Sequence, residues 1–231
     1  MMSAPTAENP GKRARKRAET ERAILDTGRR HLARDGAAGL SLRAVARDLG
    51  MVSSAVYRYV ASRDELLTLL IVQAYDSLGD AVDAALIPGA SAEERFRQIG
   101  RAVRAWALDH PEQFALVYGS PVPGYHAPGE QTGGPGTRVT NRLLEAFSDM
   151  APGRSDEDPR AAAALAPIMR MVGQVHPGLG ASAMSRGLSA WLLVLGAVRA
   201  ESFEEFGADA FADPAAWFEV VLDQALELLG R

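Results

Sequence analysis

The stretch "LSLRAVARDLGMVSSAVYRYV" constrains the fold more than any other part of this 231-residue chain. Leu42, Val45, Ala46 and Leu49 recur at the spacing of one helical face, Ser41 stands at the N-cap position, and Gly50 ends the run. A second short helix is expected over Ser53–Tyr59, with Val56 and Val60 turned toward the first. Two short helices joined by a tight glycine-containing turn make a helix-turn-helix. The residues this packing leaves outside are unusual together: Ser53, Ser54, Tyr57, Arg58 and Tyr59, with Arg43 and Arg47 sharing a face of the first helix. A core helix has little use for such a set; a surface that grips something does.

Net charge is -4, which by itself argues against a polyanionic partner. Its distribution argues the other way. Met1–Glu65 holds 13 Lys+Arg against 8 Asp+Glu, net +5, whereas the remainder holds 12 against 21, net -9. A basic head on an acidic body is the asymmetry of a nucleic-acid reader, or of a basic tail with no partner. The absence of cysteine excludes disulfides and thiolate metal sites and fits a reducing cytoplasm. No run of about 18 uncharged apolar residues marks a membrane span. The basic N-terminus lacks the apolar stretch of a secretory signal.

The expected class is all-α: an N-terminal three-helix helix-turn-helix domain, then a helical C-terminal domain. Residues 1–16 are expected to be a disordered basic arm, carrying "KRARKR" from Lys12 to Arg17. Residues 17–65 form the head and 66–231 the body. The head's first helix is expected to run to about Asp35, with Gly36 as its C-terminal cap. Ser62 and Glu65 form a capping box that opens the helix leading into the body, which stops at Pro88. Further helices are expected over 91–109, within "HPEQFALVYG" with Pro111 in its first turn, and over 138–150 and 161–172, the last interrupted near Pro167. The Pro/Gly-rich "SPVPGYHAPGEQTGGPG" reads as a long loop and "APGRSDEDP" as a surface break.

The last two helices carry apolar faces too wide for burial on one side. Leu192, Leu195 and Val198 lie on the first, and Trp217, Val221 and Leu228 on the second. One side meets the chain's own core. The other meets a second subunit in a four-helix packing, unless both helices are central in a monomer.

The segment from Arg17 to Leu70, with "LSLRAVARDLG", the Gly50 turn, the Tyr57-x-Tyr59 pair and the Ser62-x-x-Glu65 opening, resembles the DNA-binding domain of the TetR family of bacterial transcriptional regulators. In the body, "HPEQFALVYG", "SAWLLVLGAV" and "ESFEEFG" look like a TetR subgroup named for Trp, His and Gly. Trp191 and Gly196 fit, but Leu195 stands where the histidine would be, so no role of that histidine is carried over.

The resemblance implies a dimer that binds a double-stranded DNA operator, with the third helix in the major groove. Ser53 and Ser54 then meet base edges, and Tyr57 a base methyl or a phosphate. Tyr59 and Arg63 match phosphate-contacting positions, Tyr59 with partial core packing as the alternative. Arg43 is the candidate for a bidentate contact to guanine. Two residues depart from the pattern: Val52 stands where a Ser or Thr cap is common, and Ala55 where a phosphate-binding hydroxyl is. Arg58 compensates for Ala55 or is a solvated surface residue. "KRARKR" tracks DNA as a flexible arm or is a solvated tail.

The resemblance also implies an effector pocket in the body. Trp106, Phe114, Tyr118, Met169, His176 and Trp191 are the candidates for lining it, suited to an apolar or aromatic small molecule, although residues of these types more often fill cores. A protein partner, or no effector at all, is the alternative. No metal or cofactor is expected, and no catalytic motif is present: there is no GxSxG, HExxH or Walker loop.

Overall fold

The computed structural model describes residues 10–150, 158–207 and 209–230. Its elements are ten helices, and no strand occurs among the described residues. In chain order they are α1 (Pro10–Gly39), α2 (Leu42–Asp48), α3 (Ser53–Val56), α4 (Arg63–Ala85), α5 (Ala92–Asp109), α6 (Pro111–Tyr118), α7 (Gly129–Met150), α8 (Pro159–Val172), α9 (Ala181–Ser202) and α10 (Pro214–Gly230). The chain forms two compact units. The first is the described part of Met1–Ala74 together with Glu112–Thr132; the second is Tyr75–Pro111 with Gly133–Arg231.

In the first unit α1, α2 and the start of α4 close on a small apolar core. Ile24, Leu42, Val45, Val56, Leu66 and Leu67 are all essentially buried. Fully burying side chains of this size contributes about 1.5–3 kcal/mol each. One bond of the capping box forms, the Glu65 N–H donating to Ser62 Oγ at 3.0 Å, while the Glu65 carboxylate accepts from the Ala61 N–H, one residue before the N-cap. Glu112–Thr132 belongs to this unit, tied to α4 by a 2.8 Å hydrogen bond between Tyr125 Oη and Thr68 Oγ1.

In the second unit α9 packs on α10, α8 and α5. Phe96, Ile99, Val103, Val194, Val198, Phe218 and Leu222 form its core. By length and mean hydropathy, 1.3, α9 could cross a bilayer, but half of that stretch is buried in the unit, as in a core helix. The second half of α4 is clamped to α7 electrostatically. Arg138 donates to Asp80 at 2.8 Å and Asp83 at 2.7 Å, and Arg142 reaches Asp83 at 2.9 Å. These guanidinium bonds, Arg138 first, hold the Asp83 carboxyl below the usual range.

Four boundaries differ from the sequence reading, one of them the end of α3, at Val56 rather than Tyr59. First, α1 begins at Pro10, so 10–16 are helical rather than an unstructured arm; residues 1–9 lie outside the described residues. Gly36 still interrupts α1, at φ +67°. Second, α7 begins at Gly129, taking in half of the expected loop, Pro135 included. Packing overrides propensity here: Gly136 brings the helix so close to Tyr75 that a Cβ would sit 3.3 Å from the ring. Third, α8 continues through Pro167, whose missing N–H is tolerated on an exposed face. The break expected at 151–159 falls mostly outside the described residues.

Candidate nucleic-acid interface

Each residue of the predicted reading surface is positioned by the packing beneath it. Leu42, Val45 and Ala46 anchor α2, which turns Arg43 and Arg47 outward. At the end of α2, Gly50 takes φ +65°, a left-handed conformation that a Cβ disfavours. The Gly50 N–H then donates to Arg47 O at 3.0 Å and the Met51 N–H to Ala46 O at 2.9 Å, the bond pair of a Schellman motif. This turn aims α3, whose inner side is fixed by Val56 and Val60, both buried.

What remains outside is the surface expected from sequence. Arg43, Ser54, Tyr57 and Arg58 are exposed, and Ser53 and Tyr59 are half-buried. Neither Arg43 nor Arg58 has an ion-pair partner among the described residues. Val52 occupies the N-cap of α3 and makes no side-chain cap bond. It is 70% exposed, an apolar side chain at the mouth of the surface where a thymine methyl could be met. The regular helix ends at Val56, so Tyr57, Arg58 and Tyr59 sit in the turn that follows rather than in its last coil.

Arg63 sits differently from the expectation of a phosphate contact. Its Nη2 donates to Ala37 O at 2.8 Å, its Nε to Leu40 O at 3.2 Å, and Nη1 pairs with Asp64. Its donors therefore tie the start of α4 to the Ala37 and Leu40 carbonyls at the end of α1, a contact inside the head. Charged hydrogen bonds of this kind are worth about 1.5–3 kcal/mol. Arg63→Ala is expected to lower the unfolding midpoint of the protein in urea, while the salt dependence of DNA binding by the folded protein stays unchanged. A normal urea midpoint with a shallower salt dependence would return Arg63 to the phosphate-binding set.

Two contacts of the head escaped the sequence reading. His31 is buried in α1, and its Nε2 lies 2.7 Å from Asp48 Oδ2 at the end of α2. The bond to His31, with the nearby charges of His31, Arg47 and Arg34, holds the Asp48 carboxyl below the ordinary aspartate range. A carboxylate whose value is depressed on folding stabilises the protein above its unfolded value, about 3.9, and loses that contribution as pH falls through the folded value. Asp48→Asn should therefore show a smaller drop in urea midpoint between about pH 5 and pH 3 than the unaltered protein. Parallel drops would remove this pair from the acid response. The second contact is Arg17, whose guanidinium lies over the Tyr59 ring, 5.5 Å from its centroid. The signal for both was a polar residue at a core-facing register position of α1.

The predicted effector residues are spread over both units. In the first, Phe114 is core, and its ring centroid lies 5.3 Å from that of Tyr118 with the planes tilted by 40°. In the second, Trp106 is buried and spends its indole N–H on Ser77 Oγ at 3.0 Å. Met169, His176 and Trp191 are half-buried, with His176 Nδ1 3.4 Å from Ser148 Oγ. Two open grooves of this unit, one along Ser91–Glu93, Asp149 and Leu226–Gly230 and one along Asp83–Ala90, Arg95, Arg142 and Glu145, are lined by none of the six. Of the predicted subunit-contact residues, Leu192 is 67% exposed, and Leu195, Trp217 and Leu228 are half-buried. Val198 and Val221 instead point into the unit's own core. Leu193 and Val220, not singled out from the sequence, are exposed.

Comparison with known proteins agrees with this geometry. A family model described as bacterial regulatory proteins, tetR family, matches residues 24–70, and one described as the tetracyclin repressor-like C-terminal domain matches residues 96–225. The HTH-type transcriptional regulator Rv1816 of Mycobacterium tuberculosis is 45% identical over 217 residues, covering 90% of this chain and 92% of that protein. Its counterpart Mb1846 in Mycobacterium bovis matches to the same extent. Among solved structures, the regulatory protein SCO4313 is 33% identical with a TM-score of 0.77, over 93% of this chain and 98% of that one. A protein from Rhodococcus sp. RHA1, 22% identical over 91% of this chain and 95% of that one with a TM-score of 0.65, shares the fold. With a family model over more than half of its length and relatives matched nearly end to end, the chain belongs to the TetR family of bacterial transcriptional regulators: it is a DNA-binding regulator, not an enzyme.

Proposed function

We propose that the protein is a homodimeric repressor that binds a palindromic operator and is released by a small, mostly apolar effector. The observation that carries the DNA-reading half is the row of exposed side chains, Arg43, Ser54, Tyr57 and Arg58, on the helix-turn-helix, with neither arginine in an ion pair among the described residues. In this reading α3 enters the major groove, Ser53, Ser54 and Tyr57 meet base edges, and Arg43 makes the bidentate contact to guanine. The dimer is supported by the apolar side chains that α9 and α10 leave exposed, Leu192, Leu193 and Val220. Two heads on one dimer must present their reading helices about 34–36 Å apart to enter successive major grooves. An effector acts only by binding one head spacing better than another. Met169, His176 and Trp191, half-buried in the second unit, are the residues through which it would do so.

The test is binding of the purified protein to DNA from upstream of its own gene at fixed salt, beside a scrambled duplex of equal length. A tight, selective complex with two protomers, or a multiple of two, is expected. Weak binding of equal strength to both duplexes would contradict it.

A second reading replaces the small molecule with a protein partner, and one observation favours it. Phe206 is 67% exposed and stands edge-on to Phe211, which stacks on Trp217 at 4.3 Å. Exposed aromatic clusters of this kind commonly mark contact surfaces. Phe206→Ser would abolish regulation in cells under this reading and leave it intact under the effector reading.

A further inference from the structure

We propose that the turn joining α9 to α10 is a docking surface for a basic protein segment with an apolar anchor, which Phe206 receives while the carboxylates of Glu204 and Asp209 hold its charge. The surface is the one on which the partner reading above rests; that reading is taken up here, and its partner is given a chemistry whether or not a small molecule also acts.

The chain leaves α9 through a Schellman motif. The Glu204 N–H donates to Glu201 O at 3.2 Å and the Glu205 N–H to Ala200 O at 2.9 Å. The residue in the left-handed position is Glu204, at φ +51°, the one non-glycine residue with positive φ among the described residues. Glycine is the usual occupant of this position, because a Cβ there is strained. A glutamate keeps a charge at the expense of that strain. Two residues on, Phe206 is 67% exposed, although burying such a ring would stabilise the unit. An outward carboxylate on a strained backbone and an outward ring beside it both cost stability, and a partner accounts for both.

The ring is propped in place. Phe206 stands perpendicular to Phe211 at 5.9 Å, and Phe211 stacks at 4.3 Å on Trp217, in the first turn of α10. The turn itself is tied by the Gly207 N–H, which donates to Glu204 O at 2.8 Å, and by the Ala210 N–H, which donates to Gly207 O at 3.2 Å. A side chain held this way loses little freedom when a partner covers it.

Charge selects the occupant. Over 199–213 the acids are Glu201, Glu204, Glu205, Asp209 and Asp213, against the single base Arg199. Glu201 is held by Arg104, Glu205 pairs with Arg199 at 2.7 Å, and Asp213 spends its carboxylate on the Ala216 N–H at 2.9 Å. Glu204 and Asp209 are exposed, and neither is in an ion pair among the described residues. This excess repels nucleic acid and anionic lipid and attracts Lys or Arg. It also disfavours a second copy of the chain. On a two-fold axis the two acidic rims would face each other, and off it each would meet a body with 12 basic against 21 acidic residues. A cationic side chain suits the open face of the Phe206 ring as well, through its quadrupole. The occupant is thus a segment that brings Lys or Arg to the carboxylates and an aliphatic or aromatic side chain to Phe206.

The probe is a display library of short random peptides, selected on the full chain and depleted on Phe206→Ser, so that only peptides needing the ring survive. Helical circular dichroism confirms that the variants fold. Survivors are expected to be basic and to carry at least one large apolar residue. A labelled survivor, followed by fluorescence anisotropy, should lose about tenfold or more in affinity to Phe206→Ser, as for an anchor ring. It should lose several-fold to Glu204→Gln with Asp209→Asn, and the affinity of the unaltered protein should fall as salt rises. Glu204→Gly separates a binding role from a structural one: relief of the left-handed strain should raise the urea midpoint while peptide affinity falls. Survivors without net positive charge would leave the partner reading standing and overturn this inference. A midpoint that falls together with affinity in Glu204→Gly would overturn it as well. Conversion of a dimer to monomers by Phe206→Ser would make a second copy the occupant, against the proposal. An absence of survivors also overturns it; if Phe206→Ser then regulates normally in cells, the partner reading fails with it.

Discussion

Arg43→Ala is expected to weaken operator binding by about 1–3 kcal/mol, roughly 5- to 150-fold, while leaving the fold intact. The size follows from the chemistry of a bidentate guanidinium–guanine contact, which is lost whole when the fork is removed. The fold should tolerate the change because Arg43 is exposed and bonds to nothing else among the described residues. The α2 core beneath it, Leu42, Val45 and Ala46, is untouched. The loss should be selective: preference at one base pair of each half-site relaxes, and affinity for unrelated duplex falls far less. Operator and random-sequence affinities measured side by side check this. An equal loss on both would make Arg43 a phosphate contact, and no loss would remove it from the interface.

Phe218→Ala should be the most damaging single change to the second unit, at about 3–5 kcal/mol. The ring is 1% exposed at the junction of α5, α9 and α10, under the guanidinium of Arg104 at 5.4 Å. Arg104 in turn grips Glu201 of α9 through two bonds of 2.6 Å. Removing the ring therefore leaves a cavity and takes away the floor on which that ion pair rests. Urea unfolding followed by tryptophan fluorescence should show a much lower midpoint. If α9 and α10 form the subunit contact, the variant should also dissociate to monomers at concentrations where the unaltered protein is dimeric. A change below about 1 kcal/mol would mean that the cavity collapses at little cost and that Phe218 is no keystone.

How much of this was legible in the sequence depended on whether the residues carried a phase. The helix-turn-helix was legible because Gly50 needs a left-handed backbone, Val56 and Val60 must go inward, and the polar set on the other side then has one place to go. The capping box at Ser62 and Glu65 was legible for a similar reason: it is a local bond pattern that needs no tertiary partner. The direction in which α9 faces was not. A helix apolar nearly all round has no hydrophobic phase, so Val198, which turns inward, could not be told from Leu192, which turns outward. The effector residues carry no phase either, because Trp106 and Phe114 look alike in sequence whether they line a cavity or fill a core. The carbonyl contacts of Arg63 were not legible because a basic residue at a helix start suits a phosphate and a neighbouring carbonyl equally. The start of α7 was hidden by Gly133, Gly134, Pro135 and Gly136, whose local preferences against helix lose to packing on Tyr75.

The central claim is that two copies of this head read the major groove through α2 and α3. The most direct measurement is selection of bound sequences by the purified protein from a pool of randomised duplexes at near-physiological salt. The account predicts enrichment of a palindrome whose half-sites lie one helical turn apart, about 10–10.5 base pairs centre to centre, or a multiple of that. It also predicts that repeating the selection with Arg43→Ala blurs a guanine in each half. Enrichment of no motif, or of a single unpaired half-site that is indifferent to Arg43, would contradict it.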